Sequence, residues 1–485
     1  MSTNNIILLL VGVGKALLSE RLMENMWRCP LGYKEKKMAE TDVKKMSLFK
    51  LGWPIFIQCL LSLCLGYIDM FMISAYDENA VNGIGQANQI LGFLTLAFTI
   101  ISSAAGVMIA QYIGAKLTEK LNEIYTVSIA FNLLLSGVIS FILLAGCNVI
   151  LKIMQTPSFM IVDAKNYMMI VGGFMFVQAM IDVFSQIFRN NGKTKFGMLI
   201  ALSMNIINIV GNYVFLFGPL KHLELGVKGV ALSTTISRVI ALIVAILLFK
   251  FKIEGHISVK YLWPFPKDIL MKLLKLGIPT AGENISYNIA QIIILIMVNT
   301  FDSNVVSGTK NFAQMVSNFG YMYSVAAAVA TSIIVGHAVG AKEYDFAYNR
   351  VMKSLRKAIL ISVSIAIISW VISPITIGFF TKNPEIIKLS GKVLFICIFL
   401  ELGRTVNLVV INSMRAAGDV KFPTYLGMAS MWGVAVLFGF IFGIVFKMGL
   451  IGIWIAMAMD EILRGIVVYI RWKKGGWRNK RVIEE

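Results

Sequence analysis

Arg189-Asn-Asn-Gly-Lys-Thr-Lys-Phe196 and Arg415-Ala-Ala-Gly-Asp-Val-Lys-Phe422 share the frame Arg-x-x-Gly-x-x-Lys-Phe, at positions 189 and 415, a separation of 226. The same separation relates Gly114-Ala-Lys116 to Gly340-Ala-Lys342. One residue less relates Lys50-Leu-Gly-Trp-Pro54 to Lys275-Leu-Gly-Ile-Pro279, and Pro157 and Pro384 mark equivalent loops. Signatures repeating in order at one spacing define an internal duplication, which is a device of membrane proteins with two related halves.

Working outward from these anchors, each copy holds six apolar stretches of the roughly 20 residues that cross about 30 Å of hydrocarbon. The runs are continuously apolar rather than alternating, so they predict helices and not a barrel. The expectation is an all-α membrane protein of twelve transmembrane helices in two pseudo-symmetric six-helix bundles. Residues 46–249 form the N-terminal lobe and 273–472 the C-terminal lobe. A cytoplasmic linker at 250–272, with Glu254, His256, Pro264 and Pro266, joins them. An even number of spans per copy gives both halves one orientation, related by an axis along the membrane normal, with a central cavity between them.

Composition agrees. Of 485 residues, 57% are hydrophobic and 15% charged, against about 45–50% and about 25% in soluble chains. The net charge of +19 is explained by placement. With the N-terminus inside, most basic residues fall in inside segments, including Arg189, Lys193 and Lys195 in one short loop and Lys342, Arg350 and Lys353 in another. The first outside loop carries Asp77 and Glu78. This asymmetry puts both termini in the cytoplasm, facing anionic lipid, and needs no nucleic acid. Residues 473–485 read as a basic cytoplasmic tail. Residues 1–45 read as a loose cytoplasmic extension, with Met38 and Met46 as alternative starts; Ile6 to Val13 is too short to span. Cys29, Cys59, Cys64, Cys147 and Cys397 form no CxxC pair, and His222, His256 and His337 are scattered, so neither a disulfide framework nor a zinc site follows.

In order and with the repeat, several stretches resemble the multidrug and toxic compound extrusion (MATE) family of the wider MOP superfamily, over about residues 46–472. They are Pro54 followed by Asp69, the Gly114-Ala-Lys116 loop, Arg189-Asn-Asn-Gly-Lys-Thr194, Asn208-Ile-Ile running to Phe217-Gly218, and Gly226-Val-Lys-Gly-Val-Ala231. The resemblance implies a V-shaped pair of six-helix bundles, H+ or Na+ as coupling ion without a cofactor, and efflux of bulky, often cationic organic compounds. A bacterial inner membrane is the expected location.

Ionisable groups inside spans cost about 2.5–3.5 kcal/mol each on insertion scales, and mark functional positions. Asp69, a lone carboxylate in span 1, is placed to take a proton or Na+. By resemblance its partners are Asn208 and Asn212, four apart on one face of span 5, and Thr234 in span 6. Asn212 departs from the family, where many relatives have Asp, and this shifts the expectation from Na+ toward a proton on Asp69. Glu283 in span 7 aligns with Gln58 and reads either as a coupling or substrate group or as a solvated interfacial carboxylate. Glu401 and Arg404, at i and i+3 in span 10, read as a structural ion pair or as an anion contact and gate. Asp182, in span 4, is placed to form a gating or structural salt bridge with Arg189. Tyr287, Asn288 and Gln291 in span 7, and the stripe Asn311, Gln314 and Asn318 in span 8, are the candidates for a polar cavity lining, or for bonding neighbouring helices.

Taken together, these features favour a cation-coupled antiporter; a flippase for a lipid-linked precursor is the alternative within transport. A membrane-embedded enzyme would need a catalytic cluster within the spans, and none shows. No GxxxxGK[ST] motif occurs, so ATP is not an energy source within this chain. A filter-like loop of a channel is also missing.

Overall fold

The computed structural model describes residues 46–253 and 255–483. Residues 1–45, with the expected extension and its start at Met38, lie outside the described residues, as do Glu254 and residues 484–485. Among the described residues the chain is helical throughout, without a strand.

The first bundle comprises α1 (Leu48–Tyr76), α2 (Glu78–Gly114), α3 (Leu121–Ile153), α4, α5 (Thr194–Leu216) and α6 (Val227–Lys252). Helix α4 is a bent pair, Ser158–Gly172 and Met175–Asn190, turning by 48°. The second bundle comprises α7 (Lys267–Asn299), α8 (Asn304–Gly340), α9 (Tyr344–Val371, continued by Ser373–Gly378), α10 (Pro384–Ala416), α11 (Lys421–Val445) and α12 (Gly449–Lys473). Among the described residues ten single helices are long and apolar enough to cross a membrane, and the bent pair makes up to eleven. Helix α12 is 25 residues long and otherwise apolar, with Asp460, Glu461 and Arg464 in its middle. With it there are twelve.

Local chemistry sets the helix ends. Ser47 and Ser303 accept from the backbone N–H three residues on, capping α1 and α8, and Asn383 caps α10 ahead of Pro384. Large apolar side chains such as Phe71, Phe141, Ile153, Leu360 and Phe379 are exposed, as an outer surface bathed in lipid requires and a water-soluble one does not.

The duplication is conformational as well as textual. Lys116 and Lys342 both take φ 60°, and Gly192 and Gly418 are both left-handed. The contacts between the bundles obey it too. Gln111 Nε2 on α2 donates to the Ala416 carbonyl at 2.7 Å, and the His337 ring Nε2 on α8 bonds the Asn190 carbonyl at 2.7 Å. Gln111 pairs with His337, and Asn190 with Ala416, at the repeat spacing. Between them Gly114 lies on the His337 backbone and Gly340 on the Gln111 backbone, too close for any Cβ. Likewise Gly277 of α7 lies on Ile100 of α2, and Gly52 of α1 faces Ala330 of α8. These contacts gather the bundles at one end, that of the basic loops after α2 and α8.

Candidate functional site

The four positions expected around Asp69 come together. Asn212 Nδ2 donates to Asp69 Oδ1 at 2.7 Å and lies 3.3 Å from Asn208 Oδ1, while Asn208 Nδ2 donates to Thr234 Oγ1 at 3.2 Å. This chain of side chains ties α1 to α5 and α6. Asn208, Asn212 and Thr234 are buried. Gly211, between the two asparagines, lets Ser233 of α6 approach too closely for a side chain, and Ser233 Oγ donates to the Asn208 carbonyl. Arg238, one turn beyond Thr234, adds a positive field at Asp69. Asn212 Oδ1 is buried without a partner, which leaves one free acceptor beside the carboxylate. Asn212 thus turns its N–H toward Asp69 while Asn208 presents its oxygen to Asn212, and Asp69 is the one carboxylate among the four side chains. Among the described residues no group of three or more His, Cys, Asp or Glu is placed to hold a metal.

The second bundle carries a larger ionic network. Arg404 lies 3.4 Å from Glu401 and 3.9 Å from Glu461, and Arg464 lies 2.8 Å from Asp460 and 3.2 Å from Glu461. Further donors saturate the carboxylates: Ser324 Oγ to Glu401 at 2.7 Å, Asn407 Nδ2 to Glu461 at 2.6 Å, and Ser430 Oγ to Asp460. The Arg404 guanidinium lies 5.4 Å over the Tyr321 ring. Three carboxylates therefore face two guanidiniums in a nearly dry interior, where an unmatched charge is costly. Tyr287 and Gln291 line a chamber of about 10 Å³ with Arg404, Asp460 and Glu461, room for about one water.

At the end where the bundles meet, two arginines reach back into α1 and α7. Arg189 Nη2 donates to Gln58 Oε1 at 2.8 Å, and Arg415 Nη2 to Glu283 Oε2 at 2.5 Å. These pairs are copies, uncharged in the first bundle and ionic in the second. They border a cavity of about 250 Å³ between the bundles, lined in part by Gln186, Asn190, Thr280 and Asn284 as well as both arginines.

Other expected groupings are not formed. Arg189 is committed to Gln58, and Asp182 accepts from Gln178 Nε2 at 3.0 Å; the Asp182–Arg189 salt bridge expected from the sequence is absent among the described residues, because a partner across the helix pair lies closer. Glu283 is buried and held by Arg415, and so is no solvated interfacial carboxylate. Asn288 turns its amide onto the Asn284 carbonyl of its own helix. On α8, Asn311 and Gln314 stand exposed and Asn318 is half-buried, with Gln314 bonded to Asn318 at 3.2 Å.

Sequence reasoning missed Asp460, Glu461 and the role of Arg464. Three charges within five residues of an apolar run were the available signal. It also missed the Arg189–Gln58 and Arg415–Glu283 pairs, although the repeat had already aligned Gln58 with Glu283 and Arg189 with Arg415.

Comparison with known proteins adds the rest. A family model described as MatE matches residues 54–214 and 279–441. The chain is 38% identical over 448 residues to the uncharacterized transporter YisQ of Bacillus subtilis, covering 92% of this chain and 98% of that protein. It is 26% identical to the probable multidrug resistance protein NorM of Thermotoga maritima, over 91% of this chain and 95% of that one. A solved structure described as the outward-facing conformation of a multidrug resistance MATE family transporter superposes with a TM-score of 0.83 at 18% identity, covering 91% and 98% of the two chains.

Proposed function

The chain belongs to the MatE family of membrane transporters, and on that premise we propose that it is a secondary antiporter, exporting drugs or other small organic compounds in exchange for a cation by alternating access. The observation that carries this reading is the Asp69–Asn212–Asn208–Thr234 chain: one carboxylate in a span, held by side chains of two other helices that must shift when its charge changes. With Asn212 in place of a second carboxylate beside Asp69, H+ is favoured over Na+ as the coupling ion.

A proton arriving at Asp69 removes the charge that Asn212 stabilises and loosens α1 from α5 and α6. Cargo and proton then compete, and by linkage each weakens the other's hold. Cargo enters between the bundles; Tyr287 and Gln291 of α7 and the exposed Asn311 and Gln314 of α8 are the hydrogen-bonding candidates on the second bundle, whose excess carboxylate fits a cationic cargo. The positive-inside pattern supports a plasma-membrane orientation with the basic-loop end in the cytoplasm, lobes at 46–249 and 273–472, the linker at 250–272 and the tail at 473–485.

The test is accumulation of a fluorescent cationic dye in cells producing the parent or Asp69→Asn at equal levels. The parent lowers accumulation and the variant does not. Equal extrusion by the two would remove Asp69 from the mechanism.

A further inference from the structure

We propose that residues 477–483 form a detachable strap, which holds the two bundles together at the basic-loop end and must leave the first bundle for that end to open. The proposal deepens the alternating-access reading and rests on it.

After α12 the chain turns at Gly475, φ +74°. Trp477 stacks on Trp472 at 4.2 Å with the rings nearly parallel, donates its Nε1–H to the Trp472 carbonyl, and is fully buried in the second bundle's core. The Lys480 carbonyl lies against Gly418, where no Cβ fits, and Arg481 Nη2 donates to the Gly340 carbonyl at 2.8 Å. The next residue crosses over. Val482 N donates to Gln111 Oε1 of α2 at 2.9 Å. Ile483 is buried in the cluster that includes Tyr112, Leu121 and Tyr125 of the first bundle.

Gln111 is the same side chain that reaches Ala416 of the second bundle through its Nε2. The strap therefore lies over the place where α2 meets α8 and the end of α10. It also breaks the pseudo-symmetry: Gln111 has a strap residue on its remaining atom, whereas its counterpart His337 keeps a buried Nδ1 without a partner.

The argument for detachment is geometric. Arg481 is fixed to Gly340 and Val482 to Gln111, and adjacent Cα atoms are 3.8 Å apart. Gly340 and Gln111 then stay within the reach of one arginine side chain and one residue of backbone while both bonds hold. The second bundle keeps its hold through a stacked indole pair, a buried core position and the Arg481 bond. The first bundle has one backbone hydrogen bond, the side chain of Ile483 and the edge of Val482, so release occurs there.

The experiment places Gln111→Cys and Val482→Cys in the full-length chain and follows dye transport before oxidation, after oxidation and after reduction, with each single variant and the parent treated alike. The expected result is loss of transport to the level of empty vesicles on cross-linking and recovery on reduction. Unchanged transport with the 111–482 cross-link complete, verified by peptide mapping, would overturn the strap. A parent without transport would instead defeat the antiport reading, so the two failures are distinct. A second variant, Ile483→Asp, expels the strap without a cross-link. It should raise thiol labelling of Ser332→Cys, inside the 250 Å³ cavity, several-fold from the basic-loop face. Unchanged labelling would count against the strap.

Discussion

Arg415 Nη2 donates to Glu283 Oε2 at 2.5 Å, joining the end of α10 to α7 at the place where the first bundle joins Arg189 to Gln58. The duplicated fold has kept the arginine and changed the acceptor. The first bundle shows that an uncharged glutamine suffices to hold the arginine.

Glu283→Gln therefore recreates the Gln58 arrangement and should leave the protein folded, with its apparent melting temperature in detergent near the parent's. Glu283→Ala leaves the Arg415 guanidinium mostly buried and unpaired, which costs about 3 kcal/mol. Equal melting temperatures for the two variants would show that the pair does not hold α10 to α7.

The network around α12 holds Glu401, Asp460 and Glu461 against Arg404 and Arg464. Glu461→Gln balances the charges and keeps an acceptor, so its effect on thermal stability should be within about 1 kcal/mol. Arg464→Met leaves three carboxylates to one guanidinium and should cost about 3 kcal/mol or more. Detergent melting of both variants tests the order; a reversed order contradicts the count.

Asn212 stands where many members of the family have Asp. Asn212→Asp puts a second carboxylate beside Asp69 and replaces an N–H donor with an oxygen, which suits a hard cation. Sodium should then raise the melting temperature of the variant and not of the parent, by the mass-action rule that ligands stabilise the state they bind. Equal sodium stabilisation of both would mean the parent site already holds Na+.

Gly340 meets the Gln111 backbone with no space for a side chain. Gly340→Val forces α2 and α8 apart at the basic-loop end. Labelling of Ser332→Cys should rise from that face, while stability falls only modestly, since each bundle core is untouched. Unaltered labelling would mean that this contact does not close the end.

Much of this was legible in the sequence. The offsets of Arg189 to Arg415 and Gly114 to Gly340 located two bundles, because close helix contacts require glycine and the helix-end arginines reach equivalent positions, Gln58 and Glu283, in each copy. The quartet of Asp69, Asn208, Asn212 and Thr234 followed from the resemblance together with helical spacing. Long-range pairing was harder to read. Asp182 and Arg189 are seven apart on one helix, an attractive match, yet Gln58 on another helix takes the arginine. The charges of α12 were hidden by averaging, since Asp460, Glu461 and Arg464 sit among apolar neighbours that still read as a span. The strap left no periodic signal: Trp477 and Ile483 lie in a segment that looks basic and solvated.

The most direct test of the account is dye transport in proteoliposomes under a pH gradient or a sodium gradient imposed separately, for the parent and Asp69→Asn. The account predicts transport by the parent driven by the pH gradient, little response to sodium, and none by the variant. Transport by the parent that ignores both gradients, or that persists undiminished in Asp69→Asn, would contradict it.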